Sequence, residues 1–376
     1  MYLKTLALLS MMSSVAHFTD DKSYTIKEFG AVPNDNIDDS PAFNHAFSSI
    51  EDGIVIFIPP GNYDICNTVF LLHKKNLSLI GSKGTTLKKC NNFSDEYLLY
   101  IRNGDELSIS NINFHGLFNG GDTPNWGKQG LYLASTTNST VTYNRFSNFG
   151  DAALRITTSP SKDAVESRNN VVLNNQFSNC AQVTTTQATS NSNVVSTHNI
   201  VFQSNKFDNC TLKLSARKAT KGAMVIDNFF SNISGTAIEA SYYSDIVIAD
   251  NQFNDILGFL INVYPNSRAE GHVAWGNIAI TNNDFNRSTL GIRLQSFSAT
   301  ETPTQPIQNL MISNNRFDEI TCEGTNNTNY KKLIRTYSQN PTLSFENVFI
   351  SNNSLISNEG CDYLGIDARD RNVVID

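Results

Sequence analysis

Apolar residues along this chain come in short runs with a period of two. The runs VVLNN, MVIDN, IVIADN, IAITNN and VFISNN, beginning at residues 171, 224, 246, 278 and 348, are rich in Val and Ile and show no helical spacing. Such alternation predicts strands. Around each run the chain repeats a phrase: SNINFHG, TYNRFSN, LNNQFSN, QSNKFDN, IDNFFSN, ADNQFND, TNNDFNR, SNNRFDE and SNNSLIS. The anchor residue of the phrase falls at Phe114, Phe146, Phe177, Phe207, Phe230, Phe253, Phe285, Phe317 and Leu355, so successive spacings are 32, 31, 30, 23, 23, 32, 32 and 38 residues.

The shortest spacing sets the repeat unit. A unit of 23 residues must bury its apolar face against its neighbours, which leaves leucine-rich repeats, helical repeats or a β-helix. Period-two runs select the last of these, and the expected fold is all-β, a single-stranded right-handed parallel β-helix. Its anchor Phe residues should stack in one interior file. The Asn two residues before each anchor (Asn144, Asn175, Asn205, Asn228, Asn251, Asn283, Asn315 and Asn353) should turn the chain with left-handed geometry and hydrogen-bond from coil to coil.

The N-terminal stretch brings a resemblance. FGAVPNDNIDDSPAFNHAF, followed by IVIFIPPGNYDI, resembles the opening segment of the pectate-lyase superfamily, shared by polygalacturonase-like, rhamnogalacturonase/epimerase-like and phage-tailspike β-helices. It implies a pectin-lyase-like fold, a short capping helix and a polysaccharide partner. Pro41 begins that helix, Asp39 or Ser40 can cap it, and Phe43, Ala46 and Phe47 would cover the open end of the stack. The catalytic motifs of the mannuronan epimerases, polygalacturonases and extracellular pectate lyases are not in the chain, so the resemblance transfers no catalytic residue.

Ahead of this segment Lys4, an apolar run from Leu6 to Val15 and a small-residue exit at Ser14-Val15-Ala16 read as an export signal. The expected organisation is a signal peptide over 1–16, a cap segment over 17–53 and a β-helix over 54–376, in a secreted or periplasmic protein. No later stretch is long and apolar enough to span a membrane. A formal net charge of −7, from 28 basic and 35 acidic residues, argues against a nucleic-acid partner. The last strand, NVVID, has no obvious cap and could be covered by another chain.

Six cysteines in an exported chain can pair. Cys180 and Cys210 each follow an anchor Phe by three residues, so they occupy equivalent places on consecutive coils. A coil spacing of about 4.8 Å suits a disulfide. Cys66 with Cys90, and Cys322 with Cys361, then follow by elimination.

Candidate chemistry lies on the second strand of each coil, in GLYLAS, ALRITT, TLKLSA, AIEASY, LINVYP and GIRLQS. Alternation turns the middle residue outward, which gives the ladder Tyr132, Arg155, Lys213, Glu239, Asn262 and Arg293. Thr184 marks an uncertain register between Arg155 and Lys213, and Arg335 and Asp367 continue the line. The long loops TTSPSKDAVESRNN, TTTQATSNSN, VYPNSRAEGHVAWGN and QSFSATETPTQP leave the same edge of this sheet, and the two 23-residue steps lack them. A notch is expected at the Lys213 and Glu239 coils.

Arg217, Lys218, Lys221, Tyr242 and Tyr243 edge that notch, with Tyr264, Arg268, His272 and Trp275 on the next loop, and Trp126 with Asp122 further along. Basic groups bind carboxylates or sulfates and aromatic faces stack on sugars, which suits an anionic polysaccharide. Elimination next to a uronate needs a base, a cation for the carboxylate and an acid for the leaving oxygen. The assignment is Lys213 as base, Arg155 or Arg217 as neutraliser, with calcium at Glu239 as a candidate helper, and Tyr242 as acid. Hydrolysis by two carboxyl groups, C5-epimerisation and non-catalytic glycan binding are the alternatives, and an ordinary solvated charge ladder is the reading without function.

Overall fold

In the computed structural model of the chain the described residues are 22–120, 128–159, 165–186, 197–264, 276–296, 306–322, 331–338, 344–357 and 360–376. The expected export signal lies outside them. Strand β1 (Ser23–Thr25) pairs in parallel with β2 (Val55–Ile58), so the segment expected only to cap the helix also contributes a strand. With β3 (Gly61–Ile65) and β4 (Val69–Leu72), β2 makes the first coil. Each of the three pairs in parallel with the strand one coil on: β2 with Ser78–Gly81, β3 with Thr85–Lys89, β4 with Tyr97–Arg102. The pattern repeats to the strand Arg371–Ile375. This is the right-handed parallel β-helix that the repeat predicts, and sheets A, B and C are those begun by β2, β3 and β4.

Helix α1 (Ser40–Ser49) closes the N-terminal end with Phe43, Ala46 and Phe47 buried, and the Phe43 ring meets that of Tyr63 at 5.7 Å. The cap itself differs from the expectation. Asp39 holds the N-cap position but its side chain makes no capping bond; its two carboxylate oxygens accept instead from the backbone N–H groups of Val32 (2.9 Å) and Asp64 (3.1 Å). Asp38 accepts from the Ser40 N–H at 2.9 Å. Packing the helix onto β3 uses the carboxylate that points toward β3, so the sequence neighbour takes over the helix end.

The anchor Phe residues form one interior file on sheet B, with neighbouring ring centroids 4.6–5.1 Å apart from Phe114 to Phe317. Leu355 continues the register beside Phe317 but is exposed. The eight Asn residues before the anchors form a ladder in which both the backbone N–H and Nδ2 of each donate to Oδ1 of the next, as Asn205 does to Asn228 at 2.9 and 3.0 Å. They do not carry the left-handed turn. That geometry belongs to the residue just before each of them, Tyr143, Asn174, Ser204, Asp227, Asp250, Asn282, Asn314 and Asn352. The division is physical: the residue at positive φ points to solvent, which leaves its neighbour facing inward to satisfy backbone groups of two coils.

All six cysteines pair as expected, with Cα separations of 4.8 Å for Cys66–Cys90, 4.8 Å for Cys180–Cys210 and 5.4 Å for Cys322–Cys361. Among the described residues no helix is long and apolar enough to cross a membrane.

Candidate functional site

Sheet C carries the ladder. Register along it runs Phe70, Tyr100, Tyr132, Arg155, Thr184, Lys213, Glu239, Asn262, Arg293, Arg335, so Arg155, Lys213, Glu239, Asn262 and Arg293 are brought onto one line and Thr184 fills the uncertain rung. The next rung is Gly365 and not Asp367. Asp367 lies past the end of that strand, where its carboxylate accepts from Arg369 at 2.7 Å and from the Ser338 N–H at 3.0 Å, which draws its pKa below the usual carboxylate value against the opposing effect of burial.

The middle of the ladder is a polar trio. Lys213 Nζ lies 2.9 Å from Glu239 Oε1, and both side chains are partly exposed. The Tyr264 hydroxyl donates to the same oxygen. Tyr264 comes from the rung after Glu239, two residues beyond Asn262, where it pairs with Ser241. Burial first, then the Glu239 charge and the hydrogen bond to it, push the Tyr264 pKa well above its ordinary value and hold the phenol protonated.

On either side the cations are fixed by neighbours. Arg155 Nε donates to Gln129 Oε1 at 2.7 Å and its Nη2 to Asp151 Oδ1 at 3.2 Å, while Gln182 Nε2 donates to that Asp151 oxygen at 2.7 Å. Gln129 Nε2 in turn donates to Glu96 at 2.9 Å. Arg293 Nε donates to Asn262 Oδ1 at 2.9 Å and its guanidinium lies 4.1 Å from the Phe259 ring centroid. Ahead of Arg155 the ladder is aromatic: the rings of Tyr97, Tyr100 and Tyr132 lie 4.5–5.3 Å apart, and Phe70 meets Tyr100 at 5.8 Å.

Trp126, Asp122, Arg268, His272 and Trp275 lie outside the described residues, as do the side chains of Arg217, Lys218, Tyr242 and Tyr243 and much of the long loops expected to wall the notch. At the two short steps the chain passes from sheet C to sheet A within the single strands Thr211–Ile226 and Ile238–Ala249. Lys221 faces His198 in register on sheet A and is not on the ladder sheet.

Calcium fits Glu239 poorly. The ion takes six to eight oxygens, whereas one Glu239 oxygen already serves an ammonium and a phenol, and among the described residues no group of three or more His, Cys, Asp or Glu side chains is arranged to hold a metal.

A family profile described as rhamnogalacturonase A/epimerase, pectate lyase-like, matches residues 23–262, from β1 through the Asn262 rung. The chain belongs to this family. A comparison with curated protein sequences finds no match. Among solved structures, this pectate lyase-like chain is similar to PfbA, a surface adhesin of Streptococcus pneumoniae, at 14% identity and a TM-score of 0.70 with 91% of each chain covered. It is similar to DFA-IIIase from Arthrobacter chlorophenolicus A6 at 14% identity and a TM-score of 0.63, with 93% of each chain covered. Polygalacturonase from Erwinia carotovora ssp. carotovora follows at 12% identity and 0.60, covering 95% of this chain and 97% of that one. Likeness at such identities concerns the fold, and the pectate lyase-like family sets the frame in which the ladder is interpreted.

Sequence reading missed the Glu96–Gln129–Arg155–Asp151 chain of hydrogen bonds and the aromatic run before it. Tyr100 and Phe70 were accessible to the same alternation rule that found Tyr132. Gln129 was not, because a long detour precedes its strand and hides where alternation starts.

Proposed function

We propose that this β-helix protein acts on carbohydrate, binding an anionic, uronate-containing polysaccharide along sheet C and cleaving it by β-elimination. The observation that carries the reading is the ladder itself: an aromatic stretch, then Arg155, then Lys213 and Tyr264 both bonded to Glu239, then Arg293 and Arg335. Aromatic faces stack on sugar rings and the cations pair with uronate carboxylates. In the reaction Lys213 acts as the base that takes the proton at C5, and Glu239, in contact with both Lys213 and Tyr264, is placed to return that proton to Tyr264 after the leaving oxygen has been protonated. The C5–H and C4–O bonds break, a C4=C5 double bond forms, and Tyr264, replacing Tyr242 as the acid, protonates the leaving oxygen. Arg155, two rungs before Lys213, and Arg293, two rungs after Glu239, neutralise carboxylates on either side.

Spacing supports elimination over hydrolysis by Asp151 and Glu239. Three rungs separate their coils, about 14 Å along the axis, beyond the roughly 5–9.5 Å that paired glycosidase carboxyls span. Three disulfides support a secreted or periplasmic setting.

Incubation with polygalacturonate, alginate and a neutral glucan, each with and without calcium, tests the proposal. New ultraviolet absorbance with a uronate polymer is the expected result. New reducing ends without absorbance would point to hydrolysis, altered NMR spectra at constant chain length to epimerisation, and retardation of an unaltered polymer to binding alone. Each of these three would overturn elimination.

A further inference from the structure

A cavity of about 60 Å³ lies in the corner between sheets B and C near the N-terminal end, away from the Lys213 and Glu239 rungs. The sequence accounts for its position. One coil leaves sheet B at His115 and begins sheet C only at Gln129, and Leu117, Phe118 and Lys128 from this connection line the cavity. Most of the lining is apolar, from Phe93, Leu117, Phe118 and Phe149, and two amines reach it, Lys89 and Lys128.

Lys89 ends the strand Thr85–Lys89, whose alternation turns Thr85, Leu87 and Lys89 inward. Its side chain is 1% exposed. Among the described residues its three N–H donors meet one acceptor, the Glu96 carbonyl oxygen at 3.5 Å, and the nitrogen sits 4.2 Å from the Phe93 ring centroid. Lys128 by contrast is anchored, donating to the carbonyl oxygens of Ser94 at 2.6 Å and Asp95 at 3.1 Å. Burial and the neighbouring Lys128 charge lower the Lys89 pKa from 10.5 to about 7, against the opposing pull of Asp95, Glu96 and Asp151. A desolvated lysine beside a second cation is the setting in which an amine becomes a nucleophile. Nothing in the elimination chemistry uses it.

We propose that this cavity is a covalent binding site for a small 2-oxo acid, with Lys89 forming an imine to the carbonyl carbon and Lys128 receiving the carboxylate. The free amine of Lys89 adds to the carbonyl carbon, and the resulting carbinolamine loses water, whose oxygen comes from the carbonyl and whose two hydrogens come from the amine. No oxidant or reductant takes part. One water needs about 10–15 Å³ of such space, so the cavity admits a molecule of glyoxylate size and excludes a sugar ring. The site is therefore separate from the polysaccharide groove.

Glyoxylate with cyanoborohydride, applied to the intact protein at neutral pH, traps the imine as a secondary amine that peptide mapping locates. At pH 7 roughly one ordinary lysine in 2,500 is neutral, against about half of the molecules of an amine with a pKa near 7. Lys89 should be labelled at least tenfold faster than the exposed Lys83 and Lys88, a margin of about 1.4 kcal/mol in barrier, and Lys89→Arg should carry no adduct at that position. Acetaldehyde, which lacks the carboxylate, should label Lys89 roughly tenfold more slowly than glyoxylate, and Lys128→Gln should erase that preference. Labelling of Lys89 only after denaturation, or no faster than Lys83 and Lys88, overturns the imine. Equal rates for the two aldehydes overturn the 2-oxo acid as the ligand class. If Lys89→Arg does not fold, the wild-type map and the Lys128→Gln comparison still decide.

Discussion

Glu239 accepts two donors of different character, and substitutions separate their roles. Tyr264→Phe removes the phenol that protonates the leaving oxygen and leaves the Lys213 contact intact. Turnover of the responsive uronate polymer should fall by roughly 10²–10⁴-fold in Tyr264→Phe and in Lys213→Met. Thermal stability should change little, because a partly exposed ion pair contributes about 0–1 kcal/mol. Initial rates of absorbance increase beside a thermal melt check both halves. Lys89 carries a second residue-scale prediction. Its folded pKa is about 7 and its ordinary value 10.5, so between those pH values the unfolded chain holds a proton that the folded chain does not. The stability of the wild type should therefore rise relative to Lys89→Met as pH increases across that window, by a few kcal/mol in total. Denaturant titrations at about pH 7 and about pH 9.5 read the difference, and a gap that is flat or reversed contradicts the assignment. The order of Lys213, Glu239, Asn262 and Arg293 was legible in the sequence because alternation and coil register are both one-dimensional rules. The Tyr264 hydrogen bond and the buried Lys89 were not, since one depends on side-chain reach across a rung and the other on how residues of three successive coils meet at one corner.

The Asn ladder shows what an element-scale pattern reveals and conceals. Its existence and its coil-to-coil bonding follow from spacing alone, yet the left-handed residue is the one before each ladder Asn. Two substitutions distinguish the positions. Asn228→Ala would strand the Asn205 N–H, bonded by that side chain within a buried corner, at about 1–3 kcal/mol, and would also remove the bond to the Phe202 carbonyl. Asn174→Ala loses only tolerance for a φ of 56°, worth about 1–2 kcal/mol. The urea midpoint should drop further for Asn228→Ala, and equal drops would return the structural role to the turn. Gly291 sets another element-scale limit, because a Cβ there would lie 2.0 Å from the Leu333 carbonyl oxygen on the adjacent coil. Gly291→Ala should force those coils apart and lower the midpoint beyond what glycine entropy would offset.

At the scale of the whole molecule, the repeat period and the N-terminal segment were enough to anticipate the winding, the capped end and all three disulfides. The loops were less legible, because residues that leave a sheet escape its alternation and only their length and edge could be inferred. Accessibility then predicts how the bridges respond to reductant. Cys180 and Cys210 are 5% and 1% exposed, whereas Cys361, in the last coils described, is only partly buried. Under mild dithiothreitol with rapid alkylation, the Cys322–Cys361 pair should be modified before the Cys180–Cys210 pair.

The placement of those bridges also has a mechanical meaning. Each ties only neighbouring coils, with sequence separations of 24, 30 and 39 residues, so a pulling force meets three stitched zones and two unstitched intervals between them, residues 91–179 and 211–321, of which the second is the longer. Coils in a parallel winding come off one at a time when the chain is drawn out. The longer interval would pay out roughly 370–400 Å of chain, and it contains Lys213, Glu239, Asn262 and Arg293. A polymer strand lying across those rungs would staple the longer unbridged span, so the force needed to unravel it should rise when the groove is filled.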